Sequence, residues 1–226
     1  MEFTNEEGIV VLYDLIKKIQ ENKQYLSEID GAIGDGDHGI NMSKGFTIAE
    51  EKLNKDKFNM SEGFMVLSKA LMEKVGGSMG PLYGKFFLGM SIASKGKENI
   101  DQDVIKEMLD KAYVGITSIS QAKIGDKSLI DVLEPAIKAY AEKTTLGEGV
   151  VPSLEYMKEV SEQGMISTID MVAKIGRASR LGERSRGHQD AGATSCNIIL
   201  QSFATSIIKL LDRDKEKESQ YAKNYQ

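Results

Sequence analysis

Apolar residues recur at helical spacing along almost the whole chain, and strict alternation over a strand length is absent. Residues three and four apart share one face of a helix, so each such stripe reads as the buried face of a helix in a helical core. Eight of them follow in order. The first carries Ile9, Leu12, Tyr13, Ile16 and Ile19 behind a capping-box pattern, Thr4-Asn5-Glu6-Glu7. Met42 to Leu53 and Phe64 to Val75 give the second and third. A fourth helix is predicted from about residue 82 to 94, where Gly84, Gly89 and Ala93 permit close packing. Val104, Met108 and Ala112 mark the fifth, and Ile130 to Tyr140 the sixth. The seventh runs from Leu154 to Val172, and the eighth carries Ile198, Ile199, Phe203, Ile207 and Leu210. With only three prolines in 226 residues, the class is all-α.

One domain of residues 1–211 is expected, followed by a charged C-terminal tail over 212–226 that frays or stays disordered. Residues 144–152, with two glycines and a proline, read as a loop and not a domain boundary. The net charge of −5 argues against a nucleic-acid or anionic-membrane surface. The lone Cys196 cannot form an internal disulfide, which suits a reducing cytoplasm. The acidic N-terminus does not read as a signal peptide, and no apolar run reaches the length of a bilayer span.

Chemistry concentrates in inter-helix junctions. Asp30-Gly31-Ala32-Ile33-Gly34-Asp35-Gly36-Asp37-His38-Gly39-Ile40-Asn41 puts three carboxylates within eight positions, interleaved with glycines. Like charges held that close repel unless a cation sits among them, and hard oxygens on a tight turn suit Mg²⁺ with positions left for phosphate. Three commoner readings fail. The Gly34-x-Gly36-x-x-Gly39 match has no buried strand before it, and its two aspartates would repel a pyrophosphate placed there without a metal. An EF-hand starting at Asp35 would need an oxygen donor at Gly39 and glutamate at Phe46. Gly80 to Lys85 is one residue short of a Walker A loop and lacks the hydroxyl after lysine.

Gly76-Gly77-Ser78-Met79-Gly80-Pro81 reads equally as an anion cradle at a helix start or as a helix end with a tight turn. Residues 176–194 pack Arg177, Arg180, Arg184 and Arg186 with His188 and Asp190 among glycines, in an otherwise acidic chain. Arginine there suits phosphate clamping, although a solvated charged loop accounts for it as well. Gly125-Asp126-Lys127-Ser128 reads better as an N-capped helix start, with Asp126 or Ser128 as cap, than as a site.

Together these segments resemble, over nearly the whole chain, the nucleotide-binding L subunits of dihydroxyacetone kinases, the DhaL family. The resemblance implies an antiparallel eight-helix barrel with the nucleotide site in the loops at one end. It implies that Asp30, Asp35 and Asp37 ligate two Mg²⁺ ions. It places ADP or ATP against His38, Gly39, Ile40, Asn41, Gly77, Ser78, Met79 and Leu129, with Arg177 as catalytic residue and a lid completed by Asp190, Ala191 and Gly192.

Met79, Ala191, Arg180 and Arg186 depart from that family's pattern. The acceptor, dihydroxyacetone or a similar keto-sugar, would sit on a separate K-type subunit that holds it through a histidine. The phosphoryl source stays open between exchangeable ATP and a bound ADP recharged by a phosphotransferase-system protein, and so does a homodimer. Two rival functions share the acidic loop: a non-catalytic ADP–Mg sensor and the kinase domain of fatty-acid kinase.

Overall fold

The computed structural model describes the backbone of residues 1–224 and the side chains of residues 1–213. It is mostly helical. Nine α-helices follow one another among the described residues: α1 (Ile9–Glu21), α2 (Lys23–Ile33), α3 (His38–Leu53), α4 (Met60–Lys74), α5 (Met79–Ser94), α6 (Gln102–Thr117), α7 (Ile130–Thr145), α8 (Val150–Ser167) and α9 (Ala191–Asn224). Two short strands, β1 (Phe3–Thr4) and β2 (Asn99–Ile100), pair antiparallel and pin the N-terminus beside the start of α6.

Eight of these helices are the eight stripes; α2 is the addition. Its burial rests on Leu26 and Ile33 alone, too few for a visible stripe. The Thr4–Glu7 box forms as expected, Thr4 N donating to the Glu7 carboxylate and Glu7 N to Thr4 Oγ1, both at 3.1 Å. It closes a turn before α1 and not the first turn of α1 itself. The fourth stripe begins three residues earlier than expected, at Met79. The seventh stops at Ser167, and a 3₁₀ turn (Thr168–Asp170) follows it. The loop expected over 144–152 shrinks to residues 146–149. Pro152 sits in the first turn of α8, where a missing N–H costs nothing.

α3 packs on α1 and α4, α5 on α4 and α6, α7 on α6 and α8, and α9 on α8 and α1, while α2 lies against α3 and α9. Phe87 ties the core together, stacking on Phe64 at 5.8 Å and meeting Phe46 and Phe86 edge-on at 5.8 and 4.9 Å. Phe86 in turn meets Tyr83 edge-on at 6.3 Å, so this aromatic chain fixes the N-terminal half of α5. Gly89 lies so close to α6 that a Cβ would come within 2.3 Å of the Lys111 carbonyl, which is the close packing anticipated for it.

By length and composition alone, Ala191–Arg213 could cross a membrane, contrary to the sequence expectation; 72% of its most apolar window is instead buried within the fold. The backbone of α9 continues helical to Asn224. The tail expected over 212–226 otherwise lies outside the described residues, save Asp212 and Arg213.

Candidate nucleotide and metal site

Four helices, α3, α5, α7 and α9, begin around one cavity of ≈ 460 Å³. Helix starts carry a partial positive charge, so four of them bordering one space favour an anion there. Side chains already take an N–H group at three of the four: Asp30 from His38, Ser128 from Ile130 and Asp190 from Ala193. The acidic, Gly76–Met79 and arginine-rich segments, far apart in sequence, all line it.

The acidic segment is not a continuous loop. Asp30 stands on the last turn of α2, the chain reverses over residues 34–37 with Gly36 at φ +75°, and α3 starts at His38. Oxygens of Asp30, Asp35 and Asp37 approach within 4.8 Å of one another. Asp30 also accepts from the His38 N–H at 3.3 Å, joining the end of α2 to the start of α3. Arg177 pairs with the Asp35 carboxylate from across the cavity.

His38, Asn41, Gly77, Ser78, Met79, Leu129, Arg177, Asp190, Ala191 and Gly192 line the cavity with the three aspartates. Gly39 and Ile40 do not. A helix turns about 100° per residue, so 38 and 41 share the inner face while 39 and 40 rotate away. Ile40 is 53% exposed. Gly39 is pressed against α2, where a Cβ would lie 1.9 Å from the Lys23 carbonyl oxygen. Backbone cannot yield as a side-chain tip does. Gly39→Ala is therefore expected to cost about 2–3 kcal/mol by overpacking, read as a lower urea midpoint.

His38 is buried, and burial holds its imidazole down to about 4, so it is neutral near pH 7. Its Nε2 meets Ser195 Oγ at 2.9 Å. Ser195 Oγ meets the Tyr83 hydroxyl at 2.6 Å, and that hydroxyl also reaches the Gly192 carbonyl at 3.2 Å. This network joins α3, α5 and α9, with His38 and Tyr83 lining the cavity and Ser195 behind them. Asp190 caps α9, accepting from Ala193 N at 2.7 Å. Burial pushes its carboxyl up to about 6, against the pull of the Ala193 N–H and of Lys127.

The α7 start departs from expectation. Asp126 does not cap the helix; it accepts from Lys123 N at 2.8 Å and pairs with Lys174 at 3.5 Å. Ser128 Oγ does accept from Ile130 N, at 3.2 Å. Asp131 folds back to take the N–H groups of Gly125 and Ser128. Between them Lys127 holds φ at +64°, and its side chain is 1% exposed.

A protein-family model described as the DAK2 domain matches residues 32–205. The chain belongs to the DAK2-domain family. It is 36% identical over 204 residues to the Listeria innocua "PEP-dependent dihydroxyacetone kinase 1, ADP-binding subunit DhaL", covering 90% of this chain and 97% of that one. The Escherichia coli "PEP-dependent dihydroxyacetone kinase, ADP-binding subunit DhaL" is 37% identical over 187 residues, 80% of this chain and 87% of its own. Among solved structures, the dihydroxyacetone kinase from C. freundii in complex with AMP-PNP and Mg²⁺ superposes with a TM-score of 0.61 at 19% identity. This DAK2 domain aligns there over 87% of its length but spans only 33% of that longer chain.

Within the DAK2 match lie Asp35, Asp37, Arg177 and Asp190, with Asp30 just before it. Among the arginines, only Arg177 lines the cavity. Arg180 and Arg184 are exposed, and Arg186 is spent on Glu183 and the Asp170 carbonyl. His188 is exposed as well. Sequence reasoning missed Tyr83, Ser195 and Lys127 as site residues. A tyrosine in Gly80-Pro81-Leu82-Tyr83-Gly84 and a lysine in a glycine–aspartate loop were the available signals; nothing in the sequence around Ser195 distinguishes it.

Proposed function

We propose that this chain is the nucleotide-binding, Mg²⁺-dependent phosphoryl-transfer subunit of a two-component kinase. The acceptor is dihydroxyacetone or a similar small keto-sugar held by a separate K-type subunit. The observation that carries this reading is the meeting of the aspartate triad, Arg177 and four helix starts at one cavity. The family relatives named as ADP-binding subunits of dihydroxyacetone kinases support it. A pure ADP sensor would not need Arg177 as a movable positive charge.

The donor set fits the metal: three hard carboxylate oxygens within 4.8 Å suit Mg²⁺, and we assign two ions there. Bound Mg²⁺ supplies neutralisation of charge on the phosphate oxygens. The chain's own residues do the positioning. Ser78 and the N–H groups that open α3, α5 and α9 face the phosphates, those of Gly39 and Ile40 contributing through backbone although their side chains point elsewhere. His38, Asn41, Met79, Leu129, Ala191 and Gly192 shape the remainder. Arg177 moves from Asp35 to the terminal phosphate of bound ADP and to the phosphoryl group transferred beside it, so residues 171–190 act as a lid.

The nucleotide is a tightly held ADP, recharged by a phosphotransferase-system protein in the cytoplasm. The "PEP-dependent" names of the relatives favour this over exchangeable ATP. Eight helices, α1 and α3 to α9, form an antiparallel barrel, a reading supported by the ring of neighbours each helix packs on. Residues 1–211 are the functional domain and 212–226 an appended charged tail.

The test is Arg177→Ala. Losing charge-assisted hydrogen bonds worth about 1.5–3 kcal/mol should weaken ADP–Mg binding roughly ten- to a hundredfold by calorimetry. It should also slow the coupled kinase rate with saturating partner. Replacing the exposed Arg180, whose side chain makes no ion pair among the described residues, should leave nucleotide affinity unchanged. Wild-type behaviour of Arg177→Ala in both assays sinks the lid assignment.

A further inference from the structure

Lys127 is the buried cation that the phosphate site does not use. Its Nζ lies 2.8 Å from the Thr168 carbonyl, 3.1 Å from Met171, 2.7 Å from Ser185 and 2.5 Å from His188. An ammonium has three hydrogens, so four carbonyls consume them all, one hydrogen being shared. Nothing is left to reach a phosphate, although the residue lines the cavity.

The positions of the four acceptors give the arrangement its meaning. Thr168 and Met171 stand where the chain leaves α8; Ser185 and His188 stand where it approaches α9. They are the two feet of the segment that carries Arg177. The first pair are carbonyls at a helix C-terminus, where a positive charge is favoured. Backbone bonds reinforce the stem: Gly187 N to the Ile169 carbonyl at 2.8 Å and Lys174 N to the Asp126 carbonyl at 3.1 Å.

Beyond the stem, the hydrogen bonds of residues 176–182 stay within 176–185 among the described residues, Ser185 Oγ donating to the Gly182 carbonyl at 2.6 Å. Arg177 alone crosses, to Asp35. Burying an ammonium is costly, and a methionine would fill the same space. A charge kept here at 1% exposure is justified by what it ties together.

We propose that Lys127 is a positioning residue that clamps both feet of the lid to the start of α7, setting how far Arg177 reaches over the nucleotide. The clamp itself is read from the chain's own contacts; its effect on nucleotide rests on the function proposed above.

Lys127→Met tests the two parts separately. In nucleotide-free protein, trypsin cleavage at the lid arginines should accelerate at least tenfold, while circular dichroism and hydrogen exchange in α4, α5 and α6 stay unchanged. ADP–Mg affinity should fall about tenfold. In an Arg177→Ala background the same substitution should cost less than twofold, because its effect runs through Arg177. Unchanged lid cleavage, or losses that multiply in the double variant, overturns the clamp. A loosened lid in a chain whose wild type binds no ADP–Mg refutes the nucleotide reading and leaves the clamp standing. If Lys127→Met does not fold, amine labelling of the wild type decides: Lys127 should be the slowest lysine to acetylate, and labelling as fast as the exposed Lys17 overturns the proposal.

Discussion

Asp37→Asn is expected to weaken Mg²⁺–ADP binding by at least about 100-fold while leaving the helical fold intact. Removal of a metal ligand should cost more than loss of a group that merely orients one, which is typically 10- to 100-fold. Asp37 is a cleaner choice than Asp35. Asp35 has Arg177 as partner, so its removal also frees the lid, whereas Asp37 has no ion-pair partner among the described residues and its side chain does not cap α3.

The sign of the stability change separates this account from a structural one. Three carboxylates within 4.8 Å repel in metal-free protein, so removing one charge should be neutral or slightly stabilising there. With Mg²⁺ and ADP present, wild type should gain a melting-temperature increase that the variant lacks, since a ligand stabilises only the state that binds it. Calorimetric titration and paired melting curves check both halves. Wild-type affinity in Asp37→Asn would remove Asp37 from the metal site.

Most helices were legible because each buries a stripe, Phe64 of α4 among them, whereas α5 was read from its small residues and is buried on most sides, Phe86 and Phe87 included. α2 escaped because a helix against α3 and α9 that buries only Leu26 and Ile33 leaves almost no periodic trace. Its absence from the reading also turned the acidic segment into one long loop. In the fold, Asp30 rides on rigid helix and only residues 34–37 turn, which fixes one carboxylate on a more rigid base than a loop would give.

The site divides along a similar line. The aspartates could be named from residue type and local spacing, Ser78 and Arg177 from the family resemblance, and all of them line one cavity. The family resemblance groups Gly39 and Ile40 with His38 and Asn41; in the first turn of α3 only 38 and 41 line the cavity, a distinction that the resemblance does not carry. Lys127 and Ser195 act through partners far away in the chain, 41 to 61 residues for the lysine and 157 for the Ser195–His38 contact. A local reading of Gly125-Asp126-Lys127-Ser128 finds a helix start there, and one does follow. The lysine's real partners, four carbonyls in another segment, have no local signature at all.

The purified chain alone should phosphorylate dihydroxyacetone at a negligible rate, and adding a K-type subunit should raise the rate by several orders of magnitude. Phosphoryl transfer asks for the acceptor oxygen to be held in line with the phosphorus, and good alignment is worth roughly 7–11 kcal/mol of barrier. The cavity has groups for anions and cations but nothing arranged for a small keto-sugar. Its only histidine, His38, has its Nε2 engaged with Ser195. His188 is exposed and outside the cavity lining, so neither presents a free Nε2 inside the cavity to hold a ketone. A freely diffusing acceptor would meet the site in competition with water and without orientation. The check is a single-turnover assay with the chain loaded with a phosphoryl donor, with and without partner, following product directly. Robust turnover by the isolated chain would refute the two-component arrangement, and would require an acceptor subsite within this cavity.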